Sequence, residues 1–345
     1  MIASILINSK NPKNLEKVFD SYESNAADKK CFEIIVNINK NDYVTKKYLE
    51  SEIIKRKFKL KYISTYEGDY FSGHINNNNM LKEVNSSTYF VSCTGDRVLA
   101  KTKFWDDELK KYLNYYDDQL FRIKCSSFKT RKYFDFWECC FSPSNITFTT
   151  KKLIEINKDL SPCFSHDAFQ QCIFFYLENH DNFNSKQINR DIISNNLSFV
   201  GQEPEDKFGD DNYNRIHGQL KAWNILTSGK MQKEAKRRAM LIKANIIYNE
   251  KDKPYKIYNN KNYIIVKDNS DKIIMEYKYS VNYLSIFLVN FYRKFSYLNY
   301  CGGGFYENKQ NYIFSLFWYL DFRYKKFRGI KDLYKKYLNI ICGDK

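Results

Sequence analysis

Asn76-Asn77-Asn78-Asn79-Met80-Leu81-Lys82-Glu83-Val84-Asn85-Ser86-Ser87-Thr88-Tyr89-Phe90-Val91-Ser92-Cys93-Thr94-Gly95-Asp96-Arg97-Val98 is the stretch whose reading decides the fold. Met80, Leu81 and Val84 recur at helical spacing, and polar Asn85-Ser86-Ser87 stops the helix. Tyr89-Phe90-Val91 is a short apolar run of strand character. It ends in Thr94-Gly95-Asp96-Arg97, a turn that leaves one carboxylate at the strand's C-terminal end. In open α/β sheets that is the edge where ligands bind. Alone, these residues read equally as a helix, a strand and an ordinary polar turn. Their neighbours decide between the two readings.

Upstream the pattern alternates. Ile2-Ala3-Ser4-Ile5-Leu6-Ile7 is a buried first strand, followed by the polar loop Asn8-Ser9-Lys10-Asn11-Pro12. Asn14 is placed to cap a helix with Leu15, Val18 and Phe19 on one face. Phe32-Glu33-Ile34-Ile35-Val36-Asn37-Ile38 is a second strand, of the continuous apolar kind found in parallel sheets. The turn Asn39-Lys40-Asn41-Asp42 and a helix from Tyr43 to Arg56 lead to a third strand, Leu60-Lys61-Tyr62-Ile63-Ser64. Strand and helix alternating through the first ~100 residues predict a doubly wound, mostly parallel sheet. No G-x-G-x-x-G and no G-x-x-x-x-G-K-[ST] is present, so neither a dinucleotide fold nor a P-loop is supported.

Downstream, Trp105-Asp106-Asp107-Glu108-Leu109 begins a helix. Phe121 to Cys125 and Lys132 to Phe141 have strand-like apolar runs. Thr149 is placed to cap a helix through Ile156. Ser165 is placed to cap an apolar helix over residues 168–177. A short strand is expected between Ile188 and Phe199, then a polar loop from Glu203 to Tyr213. Residues 230–261 carry ten Lys+Arg and three Asp+Glu, with a basic helix from Met231 to Ile247. Short strands follow at 263–266 and 273–275, and two aromatic basic helices end the chain.

Composition narrows the partners. The 345 residues are 43% hydrophobic and carry 56 Lys+Arg against 40 Asp+Glu, a net charge of +16. That excess favours anionic partners: nucleotides, phosphates, anionic lipid or nucleic acid. Nine cysteines include no CxxC pair, and no signal peptide is read at Met1-Ile2-Ala3-Ser4, so reduced thiols in a cytoplasmic compartment are expected. With four histidines and no CxxC pair, a zinc site is not expected. No apolar stretch reaches the ~18 residues of a membrane span.

The first two thirds of the chain resemble the nucleotide-sugar glycosyltransferases of the GT-A fold, most closely the inverting family 2. The loop after the first strand, Asn8-Ser9-Lys10-Asn11-Pro12, carries part of the resemblance. A second part is spacing: Gly73 precedes a helical Asn79, and Thr94-Gly95-Asp96 stands 15 to 17 residues on, where the family has D-x-D. The third is His166-Asp167 at a helix start about 70 residues later, where the family keeps an acidic dyad. The chain departs from the pattern at Thr94 for the first Asp, Asn78 for a helix Arg, and His166 for the first acid of the dyad.

The resemblance implies a GT-A, Rossmann-like sheet flanked by helices over residues 1–225. A mainly helical, basic and aromatic extension over 226–345 follows, with a short strand region near 255–280. It implies transfer of a sugar from a UDP- or GDP-linked donor to a glycan, lipid-linked glycan or other hydroxyl acceptor, inverting and dependent on Mn²⁺ or Mg²⁺. Asp167 would be the general base, with His166 beside it positioning the acceptor or facing solvent. Asp96 would hold the metal, joined by His217. Asn8, Lys10, Asn39, Asp42, Asp69, Asn79, Thr94 and Arg215 would line the donor. Each has a plain structural alternative: turn capping for Asp96, Asp42 and Asp69, macrodipole pairing for Asp167. Trp105 and Trp137 can stack on sugars or fill the core. Residues 290–345, with eleven Lys+Arg and four Asp+Glu, suit a helical cap, a peripheral contact with anionic membrane, or nucleic acid. A nucleic-acid-binding protein and a catalytically inactive GT-A scaffold are the alternative functions.

Overall fold

A computed structural model describes residues 1–9, 11–66, 73–125, 131–133, 137–139, 146–163, 166–179, 188, 190–194, 196–201, 229–248, 256–259 and 263–278. The strands β1 (Ala3–Asn8), β2 (Phe32–Asn39), β3 (Lys59–Tyr66) and β4 (Phe90–Gly95) alternate with α1 (Pro12–Ser24), α2 (Tyr43–Lys55) and α3 (Gly73–Leu81). β1 lies between β2 and β4 and is parallel to both, with β3 parallel on the far side of β2. Every residue of β1 but the last is buried, as a strand covered on both faces requires.

The chain then adds β5 (Val98–Ala100), α4 (Trp105–Lys110), β6 (Arg122–Lys124), the hairpin β7 (Arg131–Tyr133) and β8 (Trp137–Cys139), and β9 (Thr147–Thr150). Next come α5 (Lys151–Asn157), α6 (His166–Asn179), β10 (Asp191–Ile193) and β11 (Phe199–Gly201). The seven-stranded sheet has the order β10-β6-β9-β4-β1-β2-β3. β9 runs antiparallel to both its neighbours, and β11 pairs antiparallel with β5. This is the mostly parallel, two-sided α/β sheet that the alternation predicts.

Side chains of a strand alternate between faces, and the two cores follow that rule. Ile5 and Ile7 of β1 pack with Leu15, Val18 and Phe19 of α1, Leu49 of α2 and Trp105 of α4. Leu6, between them, packs on the other face with Met80 of α3, Ile154 of α5, Ile35 and Cys93. Trp105 is fully buried and donates its Nε1–H to the Tyr22 carbonyl at 3.1 Å. It belongs to the core and does not line an acceptor site.

Two helix starts differ from expectation. α1 is capped by Asn11, whose Oδ1 accepts from the Lys13 and Asn14 amides at 3.0 and 3.3 Å. Pro12 then takes the first helical turn, where its missing N–H costs nothing, so Asn14 falls inside the helix. Thr149 lies in β9, paired with Val91 of β4, and the helix begins after Thr150. The alternation of buried and polar residues over 147–150 is too short to announce a strand without its partners.

α7 (Gly229–Tyr248), expected as a basic helix, packs against α6. Its charges are partly internal. Arg238 is 3% exposed, bonds Asp159 Oδ1 at 2.6 Å and Glu234 Oε1 at 2.8 Å, and lies over the Phe169 ring of α6. The boundary expected at residue 225 lies outside the described residues, and the helix beyond it leans on the first region. β12 (Lys256–Asn259), β13 (Tyr263–Lys267) and β14 (Ile273–Lys278) form an antiparallel meander, which matches the strand region expected near 255–280. The terminal aromatic helices, and with them the proposed membrane contact, lie outside the described residues. Among those described, no helix is long and apolar enough to cross a membrane.

Candidate functional site

The C-terminal ends of β1 and β4 meet at the centre of the sheet. Ile7 is level with Thr94, and Asn8 with Gly95. Thr94 therefore points to the α1 face, where its Oγ1 is buried without a hydrogen-bond partner among the described residues. The hydroxyl expected to line the donor is turned away from the edge, because strand alternation sends it to the side of Ile7. Gly95 opens to the other face, and a Cβ built there meets nothing within 4 Å.

Asp96 follows in the turn between β4 and β5. The Ser9 hydroxyl, in the loop after β1, donates to its Oδ2 at 2.7 Å. The same Oγ accepts the Asn11 amide at 3.1 Å, so the α1 cap and the carboxylate share one anchor. Burial pushes the Asp96 pKa up, opposed by the Ser9 hydroxyl, the Arg97 charge and the Asn14 side chain; the net shift is upward. The sheet edge thus presents a partly desolvated carboxylate held from one side only. Ser9 was not singled out from the sequence; the polar loop after the first strand was the available signal.

α3 covers this edge from the face opposite α1. Its four consecutive asparagines take four different environments. Asn76 is buried, with Nδ2 unpartnered among the described residues. Asn77 accepts from Asn8 Nδ2 at 2.6 Å through Oδ1, and its Nδ2 stands 3.2 Å from His166 Nδ1. Asn78 holds the loop before α6, accepting the Leu160 amide at 3.1 Å and donating to the Ser161 carbonyl at 3.0 Å. Asn79, the residue expected at the donor, accepts instead from Lys82 Nζ at 3.2 Å on the outer side of the helix. Helical phase turns successive residues by about 100°, so Asn77, two positions earlier, faces Asn8 and His166 while Asn79 faces away from them.

His166 and Asp167 form the first turn of α6, as expected. Asn77 Nδ2 can only donate, so His166 Nδ1 accepts and the ring proton sits on the other nitrogen. The Cys93 carbonyl of β4 lies close enough to the ring to favour its protonated form. Burial lowers the His166 pKa more than the Asp167 charge and the Cys93 carbonyl raise it, so the ring is neutral at pH 7. Asp167 is partly buried beside it.

Two other expected donor residues serve as caps. Asp42 is the N-cap of α2, with Oδ1 taken by the Thr45 amide at 2.9 Å and Oδ2 by the Thr45 hydroxyl at 2.6 Å. Asn39 accepts the Asn41 amide at 3.0 Å, a local turn. Neither is presented to the edge as a free contact. Asn37 of β2, level with Asn8, accepts from the Thr65 amide and hydroxyl, while its Nδ2 is buried and unpartnered. The Asn8 Oδ1 is in the same state. Lys10, Asp69, Arg215 and His217 lie outside the described residues, as do Lys221, Trp223 and the Trp137 side chain. No group of three or more His, Cys, Asp or Glu gathers to hold a metal among the described residues.

No protein-family model matches the chain, and no curated protein matches it. Solved structures do. A mannosyltransferase from Pyrobaculum calidifontis, in complex with GDP-Man and Mn²⁺, aligns at 11% identity over 71% of this chain and 75% of its own, with a TM-score of 0.47. Residues 1–349 of S. aureus TarS, in complex with UDP-GlcNAc, align at 14% identity over 73% and 77%, with a TM-score of 0.41. A 4-diphosphocytidyl-2C-methyl-D-erythritol synthase from Anaerococcus prevotii aligns at 12% identity over 59% and 91%, with a TM-score of 0.33.

Proposed function

We propose that this chain is a glycosyltransferase that moves a sugar from a nucleoside diphosphate donor to a hydroxyl acceptor with inversion. The reading is supported by two carboxylates near β4: Asp96 stands in the turn after the strand, and Asp167 stands on the first turn of α6 beside His166, whose ring faces Asn77 of α3 at 3.2 Å. A diphosphate leaving group needs its developing charge neutralised, and an attacking hydroxyl needs a base. Two carboxylates from different elements meet those two needs.

Asp96 fits a hard divalent cation, Mn²⁺ or Mg²⁺, as a single protein carboxylate, since such ions keep several waters and take further oxygens from substrate phosphates. Bound there, the cation supplies charge neutralisation for the departing diphosphate. Ser9 fixes one oxygen of Asp96 and leaves the carboxylate direction set by the α1 cap. Gly95, with open space where a side chain would stand, leaves room for the donor against the strand end. Asp167 takes the proton of the acceptor hydroxyl as that oxygen bonds to the anomeric carbon and the bond to the diphosphate breaks. His166 is neutral and fully engaged, so it holds geometry and does not carry the proton.

Thermal-shift screening with UDP- and GDP-sugars, with and without Mn²⁺, tests the donor half. Absence of any nucleotide response refutes the reading. Asp167→Asn tests the chemistry: transfer should fall by about 10²–10⁴, the usual contribution of a general base, while donor-dependent stabilisation persists. Unchanged turnover would remove Asp167 from that role.

A further inference from the structure

The glycosyl-transfer reading leaves one feature of α3 unused. A run of asparagines is a poor helix former, and α3 has no continuous apolar stripe. Met80 docks it on the core, and Asn77, Asn78 and Asn79 form hydrogen bonds through their side chains. Asn77 spans two elements with one carboxamide: the oxygen takes the Asn8 amide of β1 at 2.6 Å and the nitrogen gives to the His166 ring at 3.2 Å. The Cys93 carbonyl of β4 lies beside the same ring. Asn78, the next residue, holds Leu160 and Ser161 in the loop that leads into α6. The start of α6 is thus pinned at two points by successive residues of one helix, and both pins need a group that donates and accepts at once.

Asp167 follows His166 directly in the first turn of α6, so the contacts that hold His166 also hold the backbone from which Asp167 projects. We propose that Asn77 is the positioning residue for Asp167. Its shared carboxamide joins the ends of β1 and β4 to the first turn of α6 and aims the carboxylate across the sheet edge. The proposal rests on the glycosyl-transfer reading for what Asp167 does, and on the hydrogen bonds alone for what Asn77 does. The chemistry of the pair also fixes the ring tautomer. With Nδ1 accepting, the proton resides on Nε2.

Two variants in the full chain test it. Asn77→Ala removes the link. Asn77→Asp keeps the shape and the acceptor for Asn8, but faces the ring with a carboxylate in place of a donor. Nitrogen-correlated NMR of the four histidines reads the ring directly. The wild type should show His166 as the Nε2–H tautomer at pH 7. Asn77→Ala should lose that single tautomer, and Asn77→Asp should protonate both ring nitrogens. In steady-state kinetics Asn77→Ala should leave the donor KM within about twofold and lower kcat about ten- to a hundredfold, the scale on which misplacing a reacting group acts. His166 signals that ignore both variants would overturn the link, and an unchanged kcat beside altered signals would overturn the positioning role. A wild type that neither binds nor transfers a nucleotide sugar sinks the role of Asn77 together with the reading it rests on; the NMR result then says which of the two bases failed.

Discussion

Replacing Asp96 by Asn should stabilise the protein and disable it. The folded pKa of Asp96 stands above its unfolded value, first because of burial. For a raised acid, the favourable contribution is present while the group is protonated, and is lost as pH rises through the folded pKa. At pH 7 the wild type therefore carries the cost of an ionised, partly desolvated carboxylate. Asparagine keeps the oxygen that accepts from Ser9 at 2.7 Å and drops the charge. The gain should be about 0.5–2 kcal/mol, the usual return from relieving a strained functional position. At about 2–4 °C per kcal/mol for a domain of 150–250 residues, that is a rise of a few degrees in Tm. The advantage should shrink as pH falls through the folded value and vanish below the unfolded value of about 3.9, where the wild-type carboxyl is neutral in both states. With Mn²⁺ and a nucleotide sugar at a hundred times Kd the wild type should gain about 2.7 kcal/mol by linkage, and the variant should gain far less. Thermal denaturation from pH 4 to 8, with and without Mn²⁺ and donor, reads all of this. A variant less stable than wild type at pH 7 without ligand would refute the electrostatic reasoning, and a full metal-and-donor response in the variant would refute the assignment of Asp96.

Three further outcomes are expected. The Asp191 side chain is largely buried, and burial, which would raise its pKa, is outweighed by the charges and hydrogen bonds of Arg122 and Lys124, so the net shift is downward. Asp191→Asn leaves two buried cations without their counter-ion and should cost about 3–5 kcal/mol in denaturant titration; in the wild type this contribution is present above pH ~4 and fades as pH falls through the depressed pKa. Gly95→Ala should leave stability within about 0.5 kcal/mol, because its Cβ meets nothing within 4 Å, yet weaken donor binding in a titration with nucleotide sugar. Asn79→Ala should change neither stability by more than about 0.5 kcal/mol nor turnover, since among the described residues its side chain hydrogen-bonds to Lys82 in an exposed position on α3; a loss of donor affinity would return Asn79 to the site.

The sequence by itself determined the sheet. Runs such as Ile5-Leu6-Ile7 and Ile34-Ile35-Val36 are apolar at every position, which only a strand buried on both faces tolerates, and their alternation with helices leaves few topologies. The carboxylate at the end of β4 and the His-Asp pair opening α6 were legible for the same reason, as polar residues at the ends of strong periodic elements. β9 was not, because four residues carry too little pattern to stand apart from the helix they precede. Neither was the bond between Arg122 and Asp191, which lie 69 residues apart.

Only the tertiary structure decided which of Asn76 to Asn79 serves the edge. Four identical side chains give no periodicity, and the choice of Asn77 follows from the phase at which Met80 docks α3 onto Leu6 and Ile35. It also decided Thr94. Register with Ile7 sends that hydroxyl under the sheet and leaves Asp96, held by Ser9, as the carboxylate at the turn. Spacing names the candidates; helical phase and strand register select among them, because both are set by packing against partners distant in the chain.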